Sequence, residues 1–306
     1  MNASAARLAT AASIVASIGA QAPTFRTGVD AVRVDVLVND GSRPVTGLAA
    51  DDFELRDSGV VQTLDAVAIA DVPISMMIAL DVSESVKGDT LNQLKKGVDA
   101  ALAALEPRDH AALLTFASDV RLRHDWTSDT PTMRGTVAEL RGAGGTSLWD
   151  AAFTALTFHD VVPTMRRLVL VFSDGDDTSS WLPRGSVIEK ARRTDAVVYS
   201  VEMIGARNPR RMLHYRSGIE LSKNDRLAWI ESPFLQELAA ATGGDTYRTN
   251  DGADLRNAFT KILTEFRTRY LLTYSPQGVD KTGWHPIEVK LKTKKGKVTA
   301  RRGYQR

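Results

Sequence analysis

The chain reads as an α/β protein: a doubly wound, mostly parallel sheet flanked by helices, inserted into a small β-sandwich-like unit built from both chain ends. Three observations predict this class. The run Ile74-Ser75-Met76-Met77-Ile78-Ala79-Leu80 is almost wholly apolar, as a strand buried on both faces requires. Further apolar strands follow it in alternation with helix-period segments, the order that gives a parallel sheet covered on both sides. The flanks, residues 30–72 and 268–306, show instead short strand patterns and turns.

Taken in order, Val32, Val34, Val36 and Val38 alternate with Arg33, Asp35, Leu37 and Asn39, the pattern of a half-buried strand, and Asn39-Asp40-Gly41 is a turn. Residues 53–56 and 60–69 read as further short strands separated by Asp57-Ser58-Gly59. Within the central domain, residues 73–267, Leu91, Leu94, Val98, Ala101, Leu102 and Leu105 fall at helical spacing before Pro107. Residues 111–116 form a strand, with 120–124 as its hairpin partner or an edge strand. Helices are expected over 132–140 and 148–158, and apolar strands over 168–172 and 196–201. Residues 234–241 are helical up to Gly243-Gly244, and 254–267 carry Leu255, Phe259, Ile262, Leu263 and Phe266 on one face. Strands over 270–274, 287–291 and 298–302 then complete the sheet begun at the front of the chain.

Composition excludes more than it selects. A chain of 306 residues with 43% hydrophobic content can bury one large core or two smaller ones. The net charge of +2 favours no particular partner, and the lack of cysteine excludes disulfides, thiolate metal sites and cysteine nucleophiles. Residues 1–22 read as a secretory leader: a basic start, an alanine-rich apolar stretch too short to span a bilayer, and Ala20-Gln21-Ala22 as the cut. A disordered or helical cytosolic extension is the alternative. Export to the periplasm or beyond is the expectation. The segment 204–232 lacks periodicity and carries Arg207, Arg210, Arg211, His214, Arg216, Lys223 and Arg226 around Tyr215 and Trp229. It is either a lid or partner-binding loop or a solvated insertion.

Chemistry gathers at the carboxyl ends of the apolar strands, where open α/β sheets bind ligands. In Asp81-Val82-Ser83-Glu84-Ser85, alternate residues point the same way, so Asp81, Ser83 and Ser85 can converge. A carboxylate and two hydroxyls are hard oxygen donors, suited to Mg²⁺ or Mn²⁺. Gly144-Gly145-Thr146-Ser147-Leu148 offers a third hydroxyl, Thr146, beside a helix start. Asp174, in Phe172-Ser173-Asp174-Gly175, holds the place after the second apolar strand that Asp81 holds after the first. Asp176, Asp177 and Thr178 follow, as further shell, as added charge for Ca²⁺, or as a turn capping the next helix.

This order of motifs resembles the von Willebrand factor type A domain family. The resemblance implies a Rossmann-like domain with a metal-ion-dependent adhesion site at Asp81, Ser83, Ser85, Thr146 and Asp174. It implies direct ligation by Ser83 and Ser85, with Thr146 as a further candidate for direct ligation and Asp81 and Asp174 acting largely through water. It further implies capture of a partner protein's Asp or Glu, with Glu84, Gly145, Ser147 and Asp176 as candidate partner contacts. The flanks Val45-Thr46-Gly47-Leu48, Asp51-Asp52-Phe53-Glu54-Leu55 and Gln62, with Tyr270-Leu271-Leu272-Thr273-Tyr274-Ser275-Pro276 and Ala300-Arg301-Arg302-Gly303-Tyr304, resemble a bacterial subgroup first described in Acidobacteria, whose members are commonly exported.

Enzymatic readings fit less well. A haloacid-dehalogenase phosphatase needs a second aspartate where Ser83 stands, and the histidines His110, His124, His159, His214 and His285 have no metal-pair spacing. There is no P-loop, dinucleotide fingerprint or nucleophile elbow. The basic tail Lys290, Lys292, Lys294, Lys295, Lys297, Arg301 and Arg302 reads as the wet face of a strand rather than a nucleic-acid site. The expectation is a non-catalytic, cation-dependent protein-binding module. A scaffold with a purely structural metal, or a metal-dependent hydrolase, would be the alternatives.

Overall fold

The computed structural model describes residues 31–41, 43–68, 72–158, 165–203, 233–249 and 252–306. The leader, the segment 204–232 and His159 lie outside the described residues. Residues 31–306 form one compact unit.

The leading strand β1 (Val32–Asp40) and β2 (Arg43–Pro44) precede β3 (Phe53–Asp57), β4 (Val60–Gln62) and β5 (Ala66–Ala68). The central domain then runs β6 (Ile74–Asp81), α1 (Asp89–Ala103), β7 (His110–Phe116), β8 (Val120–Thr127), α2 (Thr130–Glu139), α3 (Leu148–Phe158) and β9 (Arg166–Ser173). It continues with α4 (Arg184–Arg193), β10 (Val197–Met203), α5 (Pro233–Thr242), β11 (Thr246–Thr249) and α6 (Gly252–Arg267). The tail supplies β12 (Tyr270–Tyr274), β13 (Trp284–Leu291), β14 (Lys297–Thr299) and β15 (Gly303–Gln305).

Six strands make the central sheet in the order β11-β10-β9-β6-β7-β8, parallel throughout except for β8, which runs antiparallel at one edge. Alternation along β6 sorts its residues between two cores. Ile74, Met76, Ile78 and Leu80 pack with α1, α2 and α6, while Met77 and Ala79 pack with α3, α4 and α5. The apolar stripe Leu255, Phe259, Ile262, Leu263 and Phe266 of α6 is buried as its periodicity implies. Gly97 lets α1 approach α6, since a Cβ there would collide with the Phe259 ring.

Both chain ends weave into a two-sheet sandwich. One sheet runs β14-β1-β12-β5 with β2 beside β1; the other runs β15-β13-β3-β4. The strand expected over 298–302 is split: β14 pairs with β1 and β15 pairs with β13, so the chain changes sheets between Thr299 and Gly303. The stretch 60–69 divides likewise, β4 pairing with β3 and β5 with β12. Val34, Val36, Leu55, Tyr270, Leu272 and Tyr274 fill this third core.

The sandwich meets the domain through arginines. Arg166, at the start of β9, pairs with Asp35 of β1 and lies 4.5 Å from the Phe266 ring centroid. Buried Arg269 donates to the Tyr199 hydroxyl at 2.8 Å and to the Gly243 carbonyl at 2.7 Å. Arg301 departs from the solvated tail expected of it: it is buried and donates to the Thr194 carbonyl at 2.8 Å. The tail lysines Lys290, Lys292, Lys294, Lys295 and Lys297 are exposed.

Candidate functional site

Where consecutive strands wind away in opposite directions, a sheet opens a crevice at its carboxyl edge. Here that point lies between β6, followed by α1 on one face, and β9, followed by α4 on the other. Leu80 is in register with Phe172, so Asp81 and the Ser173-Asp174 pair come side by side.

Asp81 is fully buried. Its Oδ1 accepts from the Ser83 backbone N–H at 2.8 Å and its Oδ2 from the Ser173 hydroxyl at 2.7 Å. Burial, and then the charge of Asp174, push its carboxyl up from the ordinary 3.8 to about 7, against the lowering effect of the Ser83 and Ser173 hydrogen bonds. Asp81 has no basic partner among the described residues. Ser83 is buried, and its Oγ lies 2.9 Å from the Oγ of half-buried Ser85. Asp174 is buried, with its Oδ1 accepting from Asp176 N–H at 3.3 Å to tighten the turn.

Backbone hydrogen bonds tie the three loops together. Ala143 N–H donates to Val82 O at 2.9 Å and Glu84 N–H to Gly144 O at 3.0 Å, locking the glycine loop to the Asp81 loop. On its other side, Thr146 N–H donates to Thr178 Oγ1 at 2.9 Å, and its carbonyl accepts from Thr178 and Ser179 N–H at 2.8 and 3.0 Å. A Cβ on Gly145 would require the Ser179 hydroxyl to turn away. Thr146 itself is buried between these neighbours.

The flanking residues divide. Glu84 is exposed and bonded to Lys87 at 3.0 Å, and half-buried Asp176 sits on the Asp174 turn. Gly145 donates its N–H to Ser118 Oγ at 2.8 Å. Ser147 faces inward: it is buried, and its hydroxyl donates to Ser118 O at 3.0 Å. Asp177 and Thr178 serve α3 and Thr146 rather than the helix that follows them. Asp177 Oδ1 accepts from Trp149 N–H at 3.1 Å, in the first turn of α3. Sequence reading missed Ser173, Ser118, Asp150 and Ser180, which hold these loops in place. Their only trace is a run of short polar residues, which any turn shares.

The donors are two carboxylates and neighbouring hydroxyls, a hard-oxygen set that fits Mg²⁺ or Mn²⁺ and offers nothing soft. Among the described residues, no three His, Cys, Asp or Glu side chains cluster for a metal. Any cation here therefore depends on the hydroxyls.

The chain is thus a doubly wound α/β fold with oxygen donors at its switch point, the place where such sheets bind ligands. The model of the von Willebrand factor type A domain matches residues 76–176, from within β6 to just past Asp174, about a third of the chain. Among solved structures, a von Willebrand factor type A protein from Catenulispora acidiphila is similar at 12% identity and TM-score 0.50, over 84% of this chain and 73% of that one. An aerotolerance-related membrane protein from Bacteroides fragilis is similar at 17% identity and TM-score 0.48, over 63% of this chain and 99% of that one. The PilB minor pilin from Streptococcus sanguinis gives 13% identity and TM-score 0.46, over 64% and 62%. These are likenesses of fold. No curated protein matches the sequence.

Proposed function

We propose that the crevice holds a divalent cation, Mg²⁺ or Mn²⁺, through Asp81, Ser83, Ser85, Thr146 and Asp174, and that the protein uses it to bind an Asp or Glu side chain of a partner protein. One observation carries the reading: Asp81 is buried beside Asp174 with hydroxyl and amide donors but no basic side chain against it. Two neighbouring buried carboxylates repel, and an added positive charge relieves both the repulsion and the desolvation. When bound, the cation supplies an electrophilic position that a partner's carboxylate completes. The hydroxyls of Ser83 and Ser85 add donors without adding negative charge, so the site stays receptive to an anion. Asp81 and Asp174 set the charge balance, while the Ser173 hydroxyl and Ser83 N–H fix the Asp81 carboxylate.

The role is binding rather than turnover, and its setting is outside the cytoplasm, as the leader's pattern suggests. Among the described residues no helix is long and apolar enough to cross a membrane. Titration calorimetry with Mg²⁺ on wild type and Asp81→Ala tests the site: wild type binds in the millimolar range or tighter, and the variant does not. Capture of an envelope protein in Mg²⁺, released by EDTA and lost in Asp81→Ala, tests the partner. Equal Mg²⁺ binding by both proteins would refute the site. Mn²⁺-stimulated hydrolysis of phosphoesters, lost in Asp174→Ala, would replace binding with catalysis.

A further inference from the structure

An exposed tryptophan stands on the loop that leaves this crevice after Asp174. Trp181 is 93% exposed, far beyond the other large apolar side chains at the surface among the described residues, of which Val61 reaches 53% and Leu122 and Trp284 each 44%. Trp284 is further covered by the Arg192 guanidinium, 5.4 Å from its ring centroid. Single exposed apolar residues are ordinary, so exposure alone assigns nothing. Position and fixation set Trp181 apart.

The loop that begins with Asp174 runs on to Trp181 and is fastened to the first turn of α3. Trp181 N–H donates to Asp150 Oδ2 at 3.0 Å, and Leu182 N–H to Asp150 Oδ1 at 2.9 Å. Ser180 Oγ accepts from Trp149 and Asp150 N–H at 3.1 and 3.2 Å and donates to Asp177 Oδ1 at 2.5 Å. Asp150 lies one helical turn beyond Thr146. The backbone bearing the indole is thus held to the same short stretch that places the Thr146 hydroxyl. A ring presented on a fixed backbone loses little freedom when covered, and tryptophan is the side chain most enriched among residues that dominate binding energy.

We propose that Trp181 is the specificity-determining contact of the crevice: a partner segment that brings its carboxylate to the Asp81–Asp174 site lays an aromatic or large aliphatic side chain on the Trp181 indole. The occupant is a protein segment because the indole is continuous, through one pinned loop, with the proposed carboxylate-binding site. The inference rests on the function proposed above, and its test separates the two.

The probe is a pool of synthetic nonapeptides with a fixed central Asp and random flanks, offered to immobilised full-length protein in Mg²⁺ or EDTA. Wild type is expected to retain, only in Mg²⁺, peptides enriched in aromatic or large aliphatic residues beside the Asp, and Asp81→Ala to retain none. Trp181→Ala should keep the requirement for Asp and Mg²⁺, lose the flanking preference, and bind the selected peptides about 30-fold more weakly. Trp181→Phe should recover part of that loss, and both variants should keep the wild-type melting temperature. Equal binding of the selected peptides by wild type and Trp181→Ala, with Mg²⁺ dependence intact, overturns this inference alone. Mg²⁺-independent retention, or none by wild type, overturns the proposed function and this inference with it. A wild-type dimer that Trp181→Ala makes monomeric in sedimentation would show a second copy covering the indole, and would also overturn it.

Discussion

The two ends of strand β9 treat buried charge in opposite ways. Arg166 and Arg167 open the strand, paired with Asp35 and Asp195, the Arg167 contact at 2.6 Å. Nearby, Asp109 is buried and meets Arg267 at 2.5 Å, while it accepts from Ile74 N–H at 2.8 Å. At the other end, Ser173 and Asp174 meet Asp81, whose hydrogen-bond donors are a hydroxyl and an amide. The seam thus pairs its buried carboxylates with guanidinium at the amino edge, whereas Asp81 at the carboxyl edge has no basic side chain against it. Buried acids are costly unless paired, so the contrast separates a structural seam from the proposed cation site.

The comparison can be broken first at the seam. Arg166→Met leaves Asp35 buried without its guanidinium and should cost about 3–5 kcal/mol in urea denaturation. A loss near zero would mean that Arg269 and Arg301, which also feel the Asp35 charge, take over from Arg166. At the crevice the sign reverses. The Asp81 carboxyl has its folded value near 7 against an ordinary 3.8, so the folded state holds more protons than the unfolded chain between those limits. Metal-free protein should therefore lose stability as pH rises from about 4 to 7, by up to roughly 4 kcal/mol. Asp81→Asn should flatten that dependence and be more stable than wild type at pH 7 in EDTA, while no longer responding to Mg²⁺. Denaturation curves across the pH range in EDTA check both statements.

Smaller effects sharpen the contrast. Mg²⁺ at ten times its dissociation constant should stabilise wild type by about 1.4 kcal/mol and leave Asp81→Ala unchanged, as read by thermal melting. Asp177→Ala removes an acceptor from the first turn of α3 and should cost about 1 kcal/mol. Its Mg²⁺ affinity should fall only modestly, because Thr146 keeps its own bonds to Thr178. A complete loss of Mg²⁺ binding in this variant would place Asp177 within the site itself.

Much of this was legible in the sequence, for physical reasons. Strands β6 and β9 announce themselves because burial on both faces demands unbroken apolar runs, and the polar residues that end them then stand out. The α6 stripe is legible for the same reason, since its period of 3.6 is sustained over four turns. Helix α4 was anticipated after the Asp176–Thr178 turn but could not be bounded: Pro183, Gly185 and a charged sequence disguise it, and only Val187, Ile188 and Ala191 are buried. Strand β11 was missed because Thr246–Thr249 is too short to show a period. The arginine seam is invisible to any pattern, since Arg166, Arg269 and Arg301 carry the residue type least expected inside a protein. Their burial depends on acceptors such as the Gly243 and Thr194 carbonyls, far away in the chain.

The interleaving of the two chain ends has a mechanical consequence. Leu37, Val38 and Asn39 of β1 are bonded directly to Thr299, Val298 and Lys297 of β14. Tension applied between Ala31 and Arg306 passes across that ladder, within the sandwich. A pull on the two ends of the sandwich is therefore met first by the pairing of β1 with β14.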